Sequence, residues 1–150
     1  MSLKYPKPKR LIMQNKTTSG SCLCGKVSYE FSGNLGIFQY CHCSRCRKFT
    51  GSAFASNILV AIDHFKWITG RDLVGRFEPK ETKHFATSFC KNCGSSLPWK
   101  AKTNKAIVIP AGTTDSDTPI SPSQNIFWGS KASWFKDSSD LVKHDKLPTK

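Results

Sequence analysis

The 150-residue sequence has no apolar run long enough to span a bilayer, so no helical membrane anchor and no membrane partner are predicted. Its basic first segment, residues 1–16, lacks the apolar stretch of a secretory signal peptide. Convincing internal repeats and sustained helical periodicity are absent as well. These absences predict a cytoplasmic protein with a single, mainly β domain.

Acidic residues are scarce, with 10 Asp and Glu against 23 Lys and Arg and a formal net charge of +13. This excess favours anionic partners such as small-molecule carboxylates, an acidic protein surface or nucleic acid. The basic residues are dispersed and are not interleaved with aromatic ones as a base-stacking platform requires, so nucleic acid is the least favoured. Only Arg45, Arg47 and Lys48 form a basic cluster beside a group of cysteines.

Alternation of apolar and polar residues predicts short strands along most of the chain. Val27, Tyr29 and Phe31 alternate with polar neighbours, which is the pattern of a half-buried strand. The further predicted strands cover residues 37–40, 54–60, 65–68, 74–77, 84–89, 97–100, 106–110 and 126–129.

One helical turn is predicted from Ser44 to Thr50, with Ser44 as its N-cap and Gly51 at its end. Residues 113–124 are expected to form a long loop, because aspartates and prolines recur there. Residues 1–19 are expected to form a basic flexible arm that precedes a domain at residues 20–150.

The seven cysteines occupy three short clusters. They are Cys22 and Cys24, then Cys41, Cys43 and Cys46, and finally Cys90 and Cys93. In a reducing compartment such clusters are more often metal ligands than disulfides. Zinc takes four ligands in a closed structural site and keeps one position open in a catalytic site. Seven thiols therefore suggest two Zn²⁺ sites, one closed and one open.

The spacing leaves two ways of dividing the thiols. In the first, the three clustered thiols at positions 41, 43 and 46 hold one zinc and the other four close the second site. In the second, Cys43 and Cys46 join the first pair, which leaves Cys41 with the last pair. His42 lies between two ligands, so we expect its side chain to point away from their metal and to have a packing or supporting role.

The cysteine motifs resemble those of the glutathione-dependent formaldehyde-activating enzyme family, also called the GFA or CENP-V domain family. The matching segments are residues 20–27 (GSCLCGKV), 41–48 (CHCSRCRK), 89–97 (FCKNCGSSL), 111–113 (AGT), 126–127 (IF) and 130–135 (SKASWF). The resemblance implies an Mss4-like fold, a β-sandwich of folded-over antiparallel sheets with zinc-binding loops and little helix.

The resemblance also implies which thiols share a metal. It places a structural zinc on Cys22, Cys24, Cys90 and Cys93. It places an active-site zinc on the catalytic residues Cys41, Cys43 and Cys46.

The reaction implied is the condensation of glutathione, or a related thiol, with formaldehyde, or a related aldehyde, to an S-hydroxymethyl adduct. This is a carbon–sulfur lyase activity of the S-hydroxymethylglutathione synthase type. We expect Arg45, Arg47 and Lys48 to attract the carboxylates of glutathione. The alternatives are an enzyme for another thiol or aldehyde, and a non-catalytic zinc-scaffolded module that binds an acidic partner or nucleic acid.

Three regions depart from the pattern of the family. Thr87 and Ser88 stand where an arginine is often found, Asp115 and Asp117 are what remains of an aspartate-rich stretch, and Asn125 replaces a histidine. We expect these regions to shape the substrate pocket.

Overall fold

The computed structural model describes residues 16–33 and 35–148. Within these ranges the chain forms eleven strands and one α-helix, α1, at Ser44–Thr50. The strands are β1 Thr18–Ser21, β2 Ser28–Phe31, β3 Phe38–Cys41, β4 Ala55–Val60, β5 Phe65–Thr69, β6 Val74–Phe77, β7 Thr87–Cys90, β8 Ser96–Leu97, β9 Trp99–Lys100, β10 Ile107–Pro110 and β11 Gln124–Ile126. The predicted mainly β fold is confirmed. No helix in the described part of the chain has both the length and the apolar character needed to cross a membrane.

The strands form three sheets. The first has the order β1-β2-β5, the second β11-β3-β4-β10-β9, and the third β6-β7-β8. Among the described strands every pair is antiparallel except β3 and β11, which run in parallel with Ile126 beside Cys41. That exception brings the end of β11 next to the first cysteine of the middle cluster.

The main core lies between the first two sheets. Tyr29 and Phe31 of β2 pack with Ile58 and Val60 of β4 and with Ile109 of β10, and all five are buried. The alternation seen in the sequence therefore marks the inward face of β2. Burial of each such side chain stabilises the fold by about 1.5–3 kcal/mol.

The structure changes some predicted boundaries. The predicted arm at residues 1–19 lies mostly outside the described residues, and β1 already begins at Thr18. The N-cap of α1 is Cys43, not Ser44 as predicted. The predicted strand at 97–100 is divided into β8 and β9 on either side of Pro98, which has no amide hydrogen for a ladder. The predicted strand at 126–129 is wrong beyond Ile126, because Trp128–Ser130 is a 3-10 turn.

Candidate functional site

The first candidate metal site consists of four thiols from two loops. The sulfur atoms of Cys22, Cys24, Cys90 and Cys93 all lie within 4.8 Å of one another. The Sγ atoms of Cys22 and Cys24 are 3.4 Å apart, and those of Cys24 and Cys90 are 3.9 Å apart. A tetrahedron with Zn–S bonds of about 2.3 Å has edges of roughly 3.8 Å. The donor set and its spacing therefore fit a four-coordinate zinc ion.

The two loops of this site are built alike. In the first loop, the amide of Cys22 donates to Val27 O and the amide of Gly25 donates to Cys22 O. In the second loop, the amide of Gly94 donates to Cys90 O. Gly25 and Gly94 both have φ of 74°, the left-handed conformation that glycine adopts without a steric cost. Each glycine thus turns its loop so that the thiols face a common point.

Ser95 connects the two loops. Its hydroxyl accepts a hydrogen bond from the amide of Leu23 across 2.9 Å and lies 3.3 Å from the Sγ atom of Cys93. Donation from this hydroxyl lowers the pKa of the Cys93 thiol to about 6. A thiol that loses its proton readily is the form that a metal binds.

The second candidate metal site is the cysteine trio, defined as Cys41, Cys43 and Cys46. Cys41 ends β3, Cys43 caps α1, and Cys46 lies in the first turn of that helix. Their sulfur atoms also lie within 4.8 Å of one another. Three thiolates on one side leave a zinc ion one position for another ligand. The grouping agrees with the division implied by the resemblance and contradicts the alternative that pairs Cys43 and Cys46 with the first cluster.

The thiols of the trio titrate as a coupled group. A hydrogen bond from the Cys46 thiol lowers the pKa of Cys41 to about 6, although burial opposes that shift. The same contact and the burial of Cys46 raise the pKa of the Cys46 thiol. Without a metal, the Cys46 thiol therefore keeps its proton and donates a hydrogen bond to the Cys41 sulfur.

His42 points into an aromatic cluster and is not one of the trio's ligand group. Its ring centroid lies 5.2 Å from that of Phe54, 5.0 Å from that of Trp128 and 5.3 Å from that of Phe135. Its Nε2 atom lies 2.9 Å from Oδ1 of Asn125 on β11. The ring is fully buried, and it ties β11 to the loop that carries the trio. This is the packing role expected from the sequence.

A cleft of about 680 Å³ opens beside the trio, and all three cysteines line it. Its apolar floor comprises Leu59, Phe85, Trp99, Val108 and Ile126, and Phe127 also lines the cleft. Its charged side chains are Arg45, Glu81, Lys83 and Lys105, all of which are exposed. The cleft therefore combines an apolar floor with a mainly cationic rim next to three thiols.

The structure brings only one of the three predicted basic residues to this cleft. Arg45 lines it, whereas Arg47 and Lys48 are not among its lining residues. The Nε atom of Arg47 instead donates to the backbone oxygen of His42 across 3.3 Å. Lys83 and Lys105 line the cleft but were not predicted, because no motif distinguishes them from other surface lysines.

A second groove, of about 940 Å³, lies beside β5 and β6, and none of the seven cysteines lines it. These strands are edge strands of the first and third sheets. Four cationic side chains and one carboxylate line this groove, together with apolar residues such as Phe65 and Trp67. The charged residues are Lys66, Arg71, Arg76, Lys100 and Glu78.

The fold and its two thiol groups define a β-domain with cysteine clusters that could bind metal. Residues 17–130 match the family described as glutathione-dependent formaldehyde-activating enzyme, and the chain belongs to that family. The chain is also similar to the crystal structure of a Rhodobacter sphaeroides protein, with a TM-score of 0.55 and 18% sequence identity. The alignment covers 71% of this chain and 98% of that chain, and it supports the fold alone. No curated protein matches the chain.

Proposed function

We propose that the protein is a carbon–sulfur lyase-type enzyme that adds a thiol to an aldehyde beside the cysteine trio. Family membership favours glutathione as the thiol and formaldehyde as the aldehyde, which is the S-hydroxymethylglutathione synthase reaction. The observation that carries the proposal is that three thiols, one fewer than a closed zinc site needs, line an open cleft.

Two groups of residues would hold zinc. The trio of Cys41, Cys43 and Cys46 would hold the active-site ion. The structural ion would be held by Cys22, Cys24, Cys90 and Cys93. When bound, zinc stabilises a thiolate near neutral pH and so supplies a nucleophile.

The side chains of the cleft bind and orient the two reactants. The cations Arg45, Lys83 and Lys105 attract the carboxylates of glutathione to the rim. The apolar floor, which includes Phe85 and Trp99, lowers the number of water molecules around the reacting atoms. Holding thiol and aldehyde together replaces a bimolecular encounter with an intramolecular one.

The reaction is an addition and requires no oxidant or reductant. The thiol sulfur forms a bond to the carbonyl carbon while the π bond of the carbonyl group breaks. The oxygen takes the electron pair of that bond and the proton that the thiol gives up. The product is an S-hydroxymethyl adduct, and the reverse reaction cleaves the carbon–sulfur bond.

The proposal is tested by exchange NMR of glutathione with isotope-labelled formaldehyde. Protein shown to carry two zinc ions per chain should accelerate the exchange between free formaldehyde and formaldehyde held in the glutathione adduct, compared with the rate in buffer. The same protein with its metal removed by a chelator serves as control. An unchanged exchange rate with the two-zinc protein would contradict the glutathione and formaldehyde assignment.

We also propose a cytoplasmic location. All seven cysteines are free thiols, although each of them lies in one of the two groups in which neighbouring sulfurs are close. Such an arrangement is stable in a reducing compartment and is prone to oxidation elsewhere. Localisation of a tagged full-length chain by microscopy tests this proposal, and secretion of the chain would contradict it.

A second candidate function is capture of an acidic partner, with zinc serving only to hold the fold. The groove beside β5 and β6 favours it, because its Arg71 and Lys100 have no carboxylate within 4 Å among the described residues. A polyglutamate peptide should then bind with a strong dependence on salt, and Arg71→Glu should weaken that binding. Tighter binding of single-stranded DNA than of polyglutamate would instead favour nucleic acid as the partner.

A further inference from the structure

The floor of the cleft is a continuous apolar surface that begins at the trio. Phe85 packs against the cluster of Cys41 and Cys46 and also against the cluster of Trp99 and Val108. The ring centroids of Phe85 and Trp99 lie 5.6 Å apart in an edge-to-face arrangement. Phe85 thus extends the apolar surface from the thiols to Trp99 and Val108 of the second sheet.

Formaldehyde leaves this surface uncovered. A molecule of two heavy atoms occupies a volume similar to that of one water, on the order of 30 Å³, whereas the cleft measures about 680 Å³. Glutathione does not cover the floor either, because its peptide groups need hydrogen-bond partners, and the cleft offers these at neutral polar residues such as Gln39, Asn57 and Thr103. The side chains of Leu59, Val108 and Ile126 have no polar atoms and offer none. The carboxylates of glutathione instead match the cations at the rim.

Phe127 adds an aromatic side chain at the mouth of the cleft, in an unusual conformation. Its φ is 53°, in the left-handed region that residues other than glycine rarely adopt. Its side chain is 62% exposed. The pairing of β11 with β3 fixes the chain before it, and the amide of Ser130 donates to Phe127 O after it. Strained residues of this kind concentrate at ligand-binding sites.

We propose that the aldehyde accepted by this site carries an apolar body, aromatic or branched, and is larger than formaldehyde. The inference rests on the proposed thiol–aldehyde addition and names the substrate class for it. The apolar body lies on Phe85, Trp99 and Val108, and the carbonyl group faces the trio. The carboxylates of the thiol lie at the rim with Arg45. The bonds formed and broken are those of the addition described above.

An aldehyde panel with glutathione as the constant thiol tests the inference. For the two-zinc protein, kcat/KM for 3-phenylpropanal should exceed that for formaldehyde by about tenfold or more, because only the larger molecule covers the floor. Each value is compared with the uncatalysed rate of the same aldehyde. A formaldehyde value equal to or above that of 3-phenylpropanal would overturn the inference and leave the proposed function standing. No acceleration with any aldehyde would overturn the proposed function itself.

Two exposed phenylalanines provide a matched pair of variants. Phe127→Ala should lower the preference for 3-phenylpropanal over formaldehyde by roughly threefold to tenfold. Phe77→Ala is the control, because Phe77 is similarly exposed at 60% and is not among the residues lining the cleft. Equal preference in the two variants would contradict the assigned role of Phe127.

Binding can be measured without turnover by using 3-phenylpropan-1-ol, which has the same apolar body but no carbonyl group. Its addition to the two-zinc protein should shift the NMR signals of the Trp99 indole and the Val108 methyl groups in a saturable way. Phe127→Ala should weaken this binding, and Phe77→Ala should not. Shifts at Trp67 in the second groove, with none at Trp99, would overturn the inference.

Discussion

The Sγ atom of Cys43 accepts a hydrogen bond from the amide of Cys46 across 3.4 Å, so a thiol of the trio also caps helix α1. The helix has only seven residues, and a helix this short depends on its cap and its tertiary contacts. The start of α1 and the arrangement of the three thiols therefore both depend on the Sγ atom of Cys43. A change at Cys43 can affect the helix, the metal, or both.

Replacement of Cys43 by serine should remove one zinc ion of two and preserve the fold. Serine is among the best N-cap residues, so the helix keeps its cap, whereas a neutral hydroxyl is a poor replacement for a thiolate ligand. We expect metal analysis to give one zinc ion per chain and the Tm to stay within about 3 °C.

Cys43→Ala separates the two roles, because alanine cannot cap. It should lose the same zinc ion and be less stable than Cys43→Ser by about 0.5–2 kcal/mol. Two zinc ions per chain in the serine variant would show that the trio does not hold a metal.

Replacement of Cys93 by serine should destabilise the whole domain. Its site includes Cys22 and Cys90, which lie in a buried cluster with Val27 and Leu97. Structural zinc contributes about 10–16 kcal/mol to the folding of zinc-finger peptides, comparable with the entire stability of a small domain. Circular dichroism should show loss of the cooperative thermal transition in Cys93→Ser and its retention in Cys43→Ser. If both variants behaved alike, the division into structural and open sites would be incorrect.

Asn125→Ala should cost about 1–3 kcal/mol of unfolding free energy. The reason is that Nε2 of the fully buried His42 would lose the amide oxygen that lies 2.9 Å away, while Nδ1 already has no partner among the described residues. Urea denaturation measures the difference. Gln124→Ala is the control, since its hydrogen bond to Gln39 is exposed and its loss should change stability by less than about 0.5 kcal/mol. Equal effects of the two substitutions would refute the role given to His42.

The buried Tyr29 should make stability fall in alkaline solution. Burial raises the pKa of Tyr29 to about 12, although its hydrogen bond with Thr113 opposes the shift. In the unfolded chain the same phenol titrates near pH 10. The unfolded state therefore releases its proton first, so this stabilisation is complete below about pH 10 and is lost as pH rises to about 12.

The contribution is at most about 2–3 kcal/mol for a shift of this size. Chemical denaturation between pH 9 and 12 should show a steeper decline for the wild type than for Tyr29→Phe. Parallel curves for the two proteins would contradict the shifted titration.

The sequence predicted most of the central strands but not β1. Tyr29 and Phe31 could be identified because the apolar face of β2 appears in the sequence as an alternation of apolar and polar residues. Strand β1 holds only small polar residues and glycine, TSGS, and it forms by pairing with β2. A Cβ at Gly20 would overlap the ring of Tyr29 on the paired strand and the backbone oxygen of Thr113, so this strand depends in part on a contact with a residue far away in the sequence. Such a contact leaves no periodic signal in the sequence.

The thiol groups were predictable from the sequence, and the cleft was not. Short spacings keep Cys41, Cys43 and Cys46 together whatever the rest of the chain does. In contrast, Phe85 and Trp99 belong to separate segments that meet only when the sheets assemble. The lysines at the rim lie on loops and are distinguished only by their position in the folded chain.

The measurement that tests the central claim most directly compares thiol–aldehyde exchange in wild-type protein and in Cys43→Ser. Both proteins should be folded, with two zinc ions per chain in the first and one in the second. The claim that the chemistry takes place at the trio predicts acceleration by the wild type and only the buffer rate with the variant. An equal acceleration by both proteins would contradict it.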